Sequence, residues 1–269
     1  MRRLHIVGCP RSGTTLLYQM TSSCFVNDGF SRHETSIFRE PESPGALYIS
    51  KQPNDIRQLR HIFGRDPTLF IIYLERDPRD VITSLHKAHP GRYFCNYRIW
   101  RACHTAALRY HGHPRFLALR YENLVSEPDR VQAAIGTRFD FLQSRQRFSE
   151  HHLHIHPAWA AQCDTAQQVR AVSTSSLGKW RQHLPRVAHQ YQKYPSMAAQ
   201  LIRLGYEPDK QWLELLEDVP GISFACRYPE QRQPFKEWEK NIRVYLKSRR
   251  YLQRRRRAAR SKSADPRPL

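Results

Sequence analysis

Apolar positions along the chain fall into short continuous runs, separated by longer stretches in which they recur at helical spacing. Leu4 to Gly8 is the first run and reads as a buried strand; a Gly/Ser/Thr turn follows, and Thr15 to Met20 then suits a helix. Ala46 to Ser50 is a second short run, Leu69 to Leu74 (LFIIYL) is the clearest, and Phe116 to Leu119 is weaker. Arg79 to Lys87, Tyr97 to His111 and Asp129 to Phe139 carry helical patterns between and after these runs. Strands alternating with helices predict an α/β fold with a parallel sheet. Beyond about residue 140 strand signals stop, and a helix is predicted over Val187 to Leu204, closed by Gly205. Lys236 to Arg260 reads as a charged helix that frays into Ser261 to Leu269. There is no internal repeat.

Composition narrows this picture. The 269 residues are 40% hydrophobic, enough to fill a core, which excludes disorder as the whole account. The economical reading is one α/β domain over residues 1–235 and a basic helical tail, partly disordered, over 236–269. No stretch approaches the roughly 18 apolar residues of a membrane span, and Met1-Arg-Arg leads straight into the first strand without a signal core. Six cysteines occur without a C-x-x-C pair, against a zinc site or a disulfide scaffold. A cytoplasmic protein with reduced thiols is expected.

Charge points to anionic partners. The net charge is +20, and residues 236–269 hold 13 Lys and Arg against Glu237, Glu239 and Asp265, so half of the excess sits in the tail. The rest still makes a basic domain, suited to nucleotides, phosphate esters or sulfate esters.

Two motifs carry the chemistry. Gly8-Cys-Pro-Arg-Ser-Gly-Thr-Thr15 joins a predicted strand to a predicted helix, where backbone N–H groups and the positive helix end hold a phosphate. Its glycine spacing is that of a P-loop. Thr14, however, stands where nucleoside triphosphatases carry Lys, and the cation has moved to Arg11 inside the loop, which argues against a triphosphate-cleaving site. Arg76-Asp-Pro-Arg-Asp-Val-Ile-Thr-Ser84 follows the LFIIYL strand, placing Arg76 at its carboxyl end and Ser84 in the first turns of the next helix. In an open α/β sheet, ligands lie beyond the carboxyl ends of the strands, so both motifs are expected to share one crevice.

At these residues the chain resembles the sulfotransferases that use 3′-phosphoadenosine 5′-phosphosulfate (PAPS) and release PAP. Motif similarity is to bacterial-type members and to tyrosylprotein sulfotransferases. Pro10 to Thr15 resembles the family's loop for the 5′-phosphosulfate, and Arg76 with Ser84 its 3′-phosphate clamp. The resemblance implies that Arg11 contacts the 5′-phosphosulfate, with Ser12, Gly13, Thr14 and Thr15 completing the cradle. It implies Glu34, in Arg32-His-Glu-Thr35, as the catalytic base, with the adjacent His33 as the alternative. Lys51, in Lys51-Gln-Pro53, resembles a lysine that stabilises the leaving oxygen together with Arg11. Tyr121 resembles a tyrosine near the nucleotide, and Val172 to Trp180 a late loop that closes over it, bringing Ser173 and Lys179. No metal is implied.

The implied partner is a hydroxyl-bearing acceptor: a glycan, lipid, peptide or small alcohol. His151, His152, His154 and His156 invite a metal reading, but no acidic or cysteine partner lies at ligand spacing. The run Arg254 to Arg257 suits a polyanionic substrate or an anionic membrane surface peripheral to the enzyme. Specific nucleic-acid recognition is not expected, because no reader module stands beside it. Two other classes stay open at this point: a nucleotide-dependent kinase on the same core, and a basic protein that binds RNA or a membrane surface.

Overall fold

A computed structural model describes residues 1–41, 45–86, 88–153 and 169–263. Five strands form one parallel sheet: β1 (Arg2–Gly8), β2 (Gly29–Phe30), β3 (Leu47–Lys51), β4 (Leu69–Glu75) and β5 (Phe116–Arg120), in the order β2-β3-β1-β4-β5. β1 is central, with Ile6 facing Lys51 of β3 on one side and Ile72 of β4 on the other. The chain leaves β1 for one edge and later returns to the other side, so the strand order reverses beside β1. The carboxyl ends of β1, β3 and β4 therefore open onto a common crevice.

Both faces of the sheet are covered, as continuous apolar strands require. From β4, Leu69, Ile71 and Tyr73 pack on one face, while Ile72 and Leu74 pack on the other. The second face takes helix α1 (Thr14–Cys24), α4 (Tyr121–Ser126) and α5 (Pro128–Arg138) through Leu17, Leu124 and Ile135. The first takes α2 (Pro78–Ile82), α3 (Tyr97–Leu108), α6 (Leu184–Lys193) and α7 (Ser196–Arg203), plus a 3-10 helix at Pro53–His61.

Two predicted elements differ. The helix expected from Arg79 to Lys87 is only the five-residue α2, because Thr83 Oγ1 bonds back to the Arg79 carbonyl at 2.7 Å and Leu85 bridges to Tyr93. Ser84 thus lies just past the helix end. The single helix over Val187 to Leu204 is two, interrupted at Pro195, which has no N–H to continue the ladder. Gly205 closes the second with φ 68°, as predicted for a helix end. The charged helix expected over Lys236 to Arg260 is present.

Residues expected to form a separate tail belong to α8 (Pro234–Ser263), which is seated on the core. Tyr251 is fully buried, accepts from Arg3 and donates to Asp66. Arg255 bonds Thr68 at 2.7 Å and lies 3.7 Å from Asp66, and Arg254 donates to the Phe38 carbonyl at 3.1 Å. Burial alone would raise the Asp66 carboxyl, but hydrogen bonds from Tyr251 and Thr68 and the charge of Arg255 hold it below its usual range. Two arginines of the run thus point inward. Replacing Tyr251 by Phe leaves Arg3 and Asp66 short of a partner in the interior. It should lower unfolding free energy by about 1–3 kcal/mol, read as a shifted urea midpoint at unchanged slope. The Asp66 contribution should fade as pH falls below about 3.9, since its folded carboxyl sits under the unfolded value.

Candidate active site

Gly8 ends β1 and Thr14 begins α1, leaving a short loop between them. Arg11 (φ 77°) and Gly13 (φ 91°) both adopt left-handed backbone, and Arg11 is the one non-glycine residue to do so among the described residues. Left-handed turns at these two positions bend the loop into a concavity at the positive end of α1, whose first turn holds no acidic side chain. Thr14 and Thr15 line the cavity there. Ser12 does not: its N–H already serves the Cys9 carbonyl at 3.0 Å and its side chain is buried beneath Gly8. Ser12 is fully buried behind the loop, and its Oγ has no hydrogen-bond partner there. Gly13 has no room for a side chain, since a Cβ would meet the Tyr121 ring at 2.3 Å.

β2 brings the carboxylate into place. After Phe30 the chain continues beside β3, with Ser31 N–H bonding Ile49 O at 2.9 Å and Thr35 N–H bonding Lys51 O at 3.0 Å. Glu34 is held between these two rungs. Lys51, the last residue of β3 and 6% exposed, donates to Glu34 Oε1 at 2.8 Å and to Thr15 Oγ1 at 3.0 Å. One ammonium thus ties the carboxylate to the phosphate loop. Glu34 lines the cavity and its side chain is 52% exposed, so an incoming hydroxyl can reach it. His33 is exposed and does not line the cavity.

Arg76, just beyond β4, packs flat against Tyr121, its guanidinium carbon 4.4 Å from the ring centre, and donates to the Ser176 carbonyl at 2.6 Å. Tyr121 Oη pairs with Ser176 Oγ at 2.7 Å. Arg11 Nε donates to Ser84 Oγ at 2.7 Å, which links the two sequence motifs directly. Burial, and then the neighbouring Arg76 charge, push the Arg11 guanidinium below its usual value, the state of a cation short of an anion. Arg76 Nε is buried and lacks a hydrogen-bond partner.

The late loop is fastened to α2. Asp80 accepts from Gly178 N and Trp180 N, both at 3.0 Å, and lies 3.6 Å from Arg76. Burial pushes the Asp80 carboxyl up in spite of Arg76. Trp180 is buried against Arg79, whose guanidinium carbon sits 4.1 Å from its ring. Ser173 and Ser176 line the cavity; Lys179 is exposed, opens the next 3-10 helix, Lys179–His183, and does not line it.

Together these groups border a cavity of about 810 Å³. Arg11, Gly13, Thr14, Thr15, Glu34, Arg76, Ser84, Tyr121 and Ser173 all line it, and Lys51 reaches its edge through Glu34 and Thr15. Sequence patterns missed Phe94, Arg170, Ser176, Arg227 and Tyr228 on the same wall. Phe94 lies between two guanidinium groups, 5.5 Å from Arg11 and 4.7 Å from Arg227. Arg227 reaches it because its N–H bonds the Tyr93 carbonyl at 3.0 Å, a pairing between distant segments that leaves no local signal.

A second cavity, of about 470 Å³, adjoins the first at Asn54. Arg57, Arg60, Arg98, Arg101, Arg109, Arg232 and Lys240 line it, with Glu237 as their one carboxylate there. Burial, and next the charge of Arg57, push the Lys240 ammonium below its usual value.

The histidine cluster is only partly within the described residues, since His154 and His156 lie outside them. His151 is 1% exposed in a 3-10 helix (Phe148–Leu153), bonded through Nδ1 to the Phe148 carbonyl. Among the described residues no group of three His, Cys, Asp or Glu side chains could hold a metal ion.

Solved structures resembling the chain include the sulfotransferase domain of an olefin synthase from Synechococcus PCC 7002, at 17% identity and TM-score 0.40, covering 67% of this chain and 86% of that one. A mouse sulfotransferase complexed with PAP gives 13% identity and TM-score 0.46 over 75% and 85%. A retinol dehydratase complexed with androsterone and PAP gives 13% and 0.36 over 87% and 84%. Likenesses this remote carry no argument by themselves. No curated protein matches the chain. The family model for the sulfotransferase domain matches residues 2–201, well over half the length, and the chain belongs to that family.

Proposed function

We propose that this sulfotransferase moves a sulfuryl group from PAPS to an acceptor hydroxyl with Glu34 as its base. The observation that carries the reading is the Lys51 ammonium, bonded at once to the Glu34 carboxylate and to Thr15 of the phosphate loop. The donor supplies an activated sulfuryl group joined to its 5′-phosphate through a bridging oxygen. Glu34 accepts the hydroxyl proton as the acceptor oxygen forms its bond to sulfur. Lys51 and Arg11 offset the charge that gathers on the bridging oxygen as the sulfur–oxygen bond breaks and PAP leaves. Arg76 and Ser84 hold the 3′-phosphate, to which the unpartnered Arg76 Nε is suited. Tyr121 and Phe94 offer aromatic faces to the nucleotide, and Ser173 and Ser176 border it from the late loop. These charges need no metal at the transferring group.

The kinase reading lacks support, because Thr14 stands where a triphosphate-binding lysine would be and the family match speaks for sulfuryl transfer. A general RNA-binding role is likewise unsupported. The reading places the enzyme in the cytoplasm, in keeping with five free thiols among the described residues. Of the acceptor classes, the basic second cavity favours molecules that carry negative charge beside their hydroxyl.

Three outcomes test this. Glu34→Gln keeps an oxygen for Lys51 but cannot take a proton; turnover should fall roughly 10²- to 10⁴-fold while PAP affinity by calorimetry is unchanged. Normal turnover would remove Glu34 from the mechanism. Gly13→Ala places a methyl into Tyr121 on left-handed backbone and should weaken PAP binding at least about tenfold. With labelled PAPS, hydroxyl acceptors offered in neutral and phosphorylated versions should differ, the phosphorylated ones showing the lower KM. Arg57→Glu with Arg101→Glu should erase that difference without altering PAP affinity.

A further inference from the structure

Helix α8 has two unlike faces. Val244, Tyr251 and Leu252 pack with the core, and Ser248 and Arg255 lie on the same side. Outward, Phe235, Trp238, Ile242, Tyr245 and Leu246 are 73, 59, 39, 46 and 47% exposed. Spacings of three and four residues put Phe235, Trp238, Ile242 and Leu246 on one stripe turned away from the face that docks, and Tyr245 stands at its edge with its ring against His61. A row of large exposed apolar side chains costs solubility and calls for a partner.

Charge around the stripe identifies that partner. Lys236, Arg243, Lys247, Arg249 and Arg250 are exposed beside it, and Arg256 and Arg257 continue the same side after the apolar residues end. Among the described residues Glu239 is the one exposed acid near them, and Arg243 pairs with it at 3.1 Å. Glu237 is turned to Arg98 and Arg232 at 2.9 and 3.3 Å. Two copies of this face pressed together would set cation against cation. No helix among the described residues is long and apolar enough to cross a membrane, so an association with lipid would lie along the surface.

We propose that the outward face of α8, from Phe235 to Arg250, docks on an anionic bilayer surface. Trp238 and Phe235 sink to the headgroup boundary with Ile242 and Leu246, and the flanking Lys and Arg meet anionic headgroups. The contact thereby moves from the Arg254–Arg257 run, two of whose members serve the core, to the aromatic stretch before it. It stands independently of the sulfuryl-transfer reading, since none of the five apolar residues borders the donor cavity.

The full chain should float with vesicles holding roughly 30% phosphatidylserine in phosphatidylcholine, and bind pure phosphatidylcholine vesicles at least about tenfold more weakly, with affinity falling as salt rises. Phe235→Ser with Trp238→Ser should lose vesicle binding about tenfold or more while PAP affinity stays the same. On the unaltered protein, lipids brominated in the upper acyl chain should quench part of the tryptophan fluorescence, and Trp238→Phe should remove that part. Equal binding to neutral and anionic vesicles, or undiminished binding by the double variant, would overturn the proposal. So would light scattering that shows a dimer which the double variant splits, or an RNA oligonucleotide captured through the same two residues in preference to vesicles.

Discussion

One ammonium group holds the site together. Lys51 ends a strand next to the centre of the sheet, is nearly inaccessible to water, and spends its protons on a carboxylate from one segment and a hydroxyl from another. A buried cation needs such partners, because leaving it unpaired in the interior costs several kcal/mol. The partners are in turn the proposed base and the loop proposed to cradle the donor. Stability and chemistry therefore ask for the same geometry. The rest of the fold serves to bring β2, β3 and the turn after β1 to one end of one sheet.

Legibility from sequence followed the range of the interactions. β1, β4 and the P-loop were readable because strand burial and turn chemistry are local, and so was Arg76, fixed by its place after LFIIYL. Lys51 was readable as a strand-end residue, though not as buried. β2 was not: two residues, Gly29 and Phe30, carry no period, and their pairing with β3 is a tertiary event. Ser176 and Arg227 escaped for the same reason, since each is placed by contacts with Arg76, Tyr121 or Tyr93 far away in the chain. Ser12 and Lys179 do not line the cavity. Each stands inside a motif, but its side-chain direction is set by backbone turns that the letters alone do not reveal.

The positive charge also divides by environment. Arginines near the cavity lie against aromatic rings, Arg11 on Phe94, Arg76 on Tyr121 and Arg79 on Trp180; Arg79 also pairs with Asp77 and Glu207 and Arg76 with Asp80, while for Arg11 the ring and the Ser84 hydroxyl stand in place of a carboxylate. Those on the outside of α8 remain in water with few acids beside them. The same residue type thus serves a fixed anion site within and a diffuse field without, and composition cannot tell these apart.

The joining of Arg3 to Tyr251 bears on how the protein is made. The buried guanidinium of β1 meets the Ile37 and Arg39 carbonyls nearby in the chain, but the phenol of Tyr251 lies 248 positions away. Joining segments so far apart carries an entropic cost that grows with the loop it closes. Contacts of this range make the seating of α8 a late step of folding, after the sheet around β1 has formed.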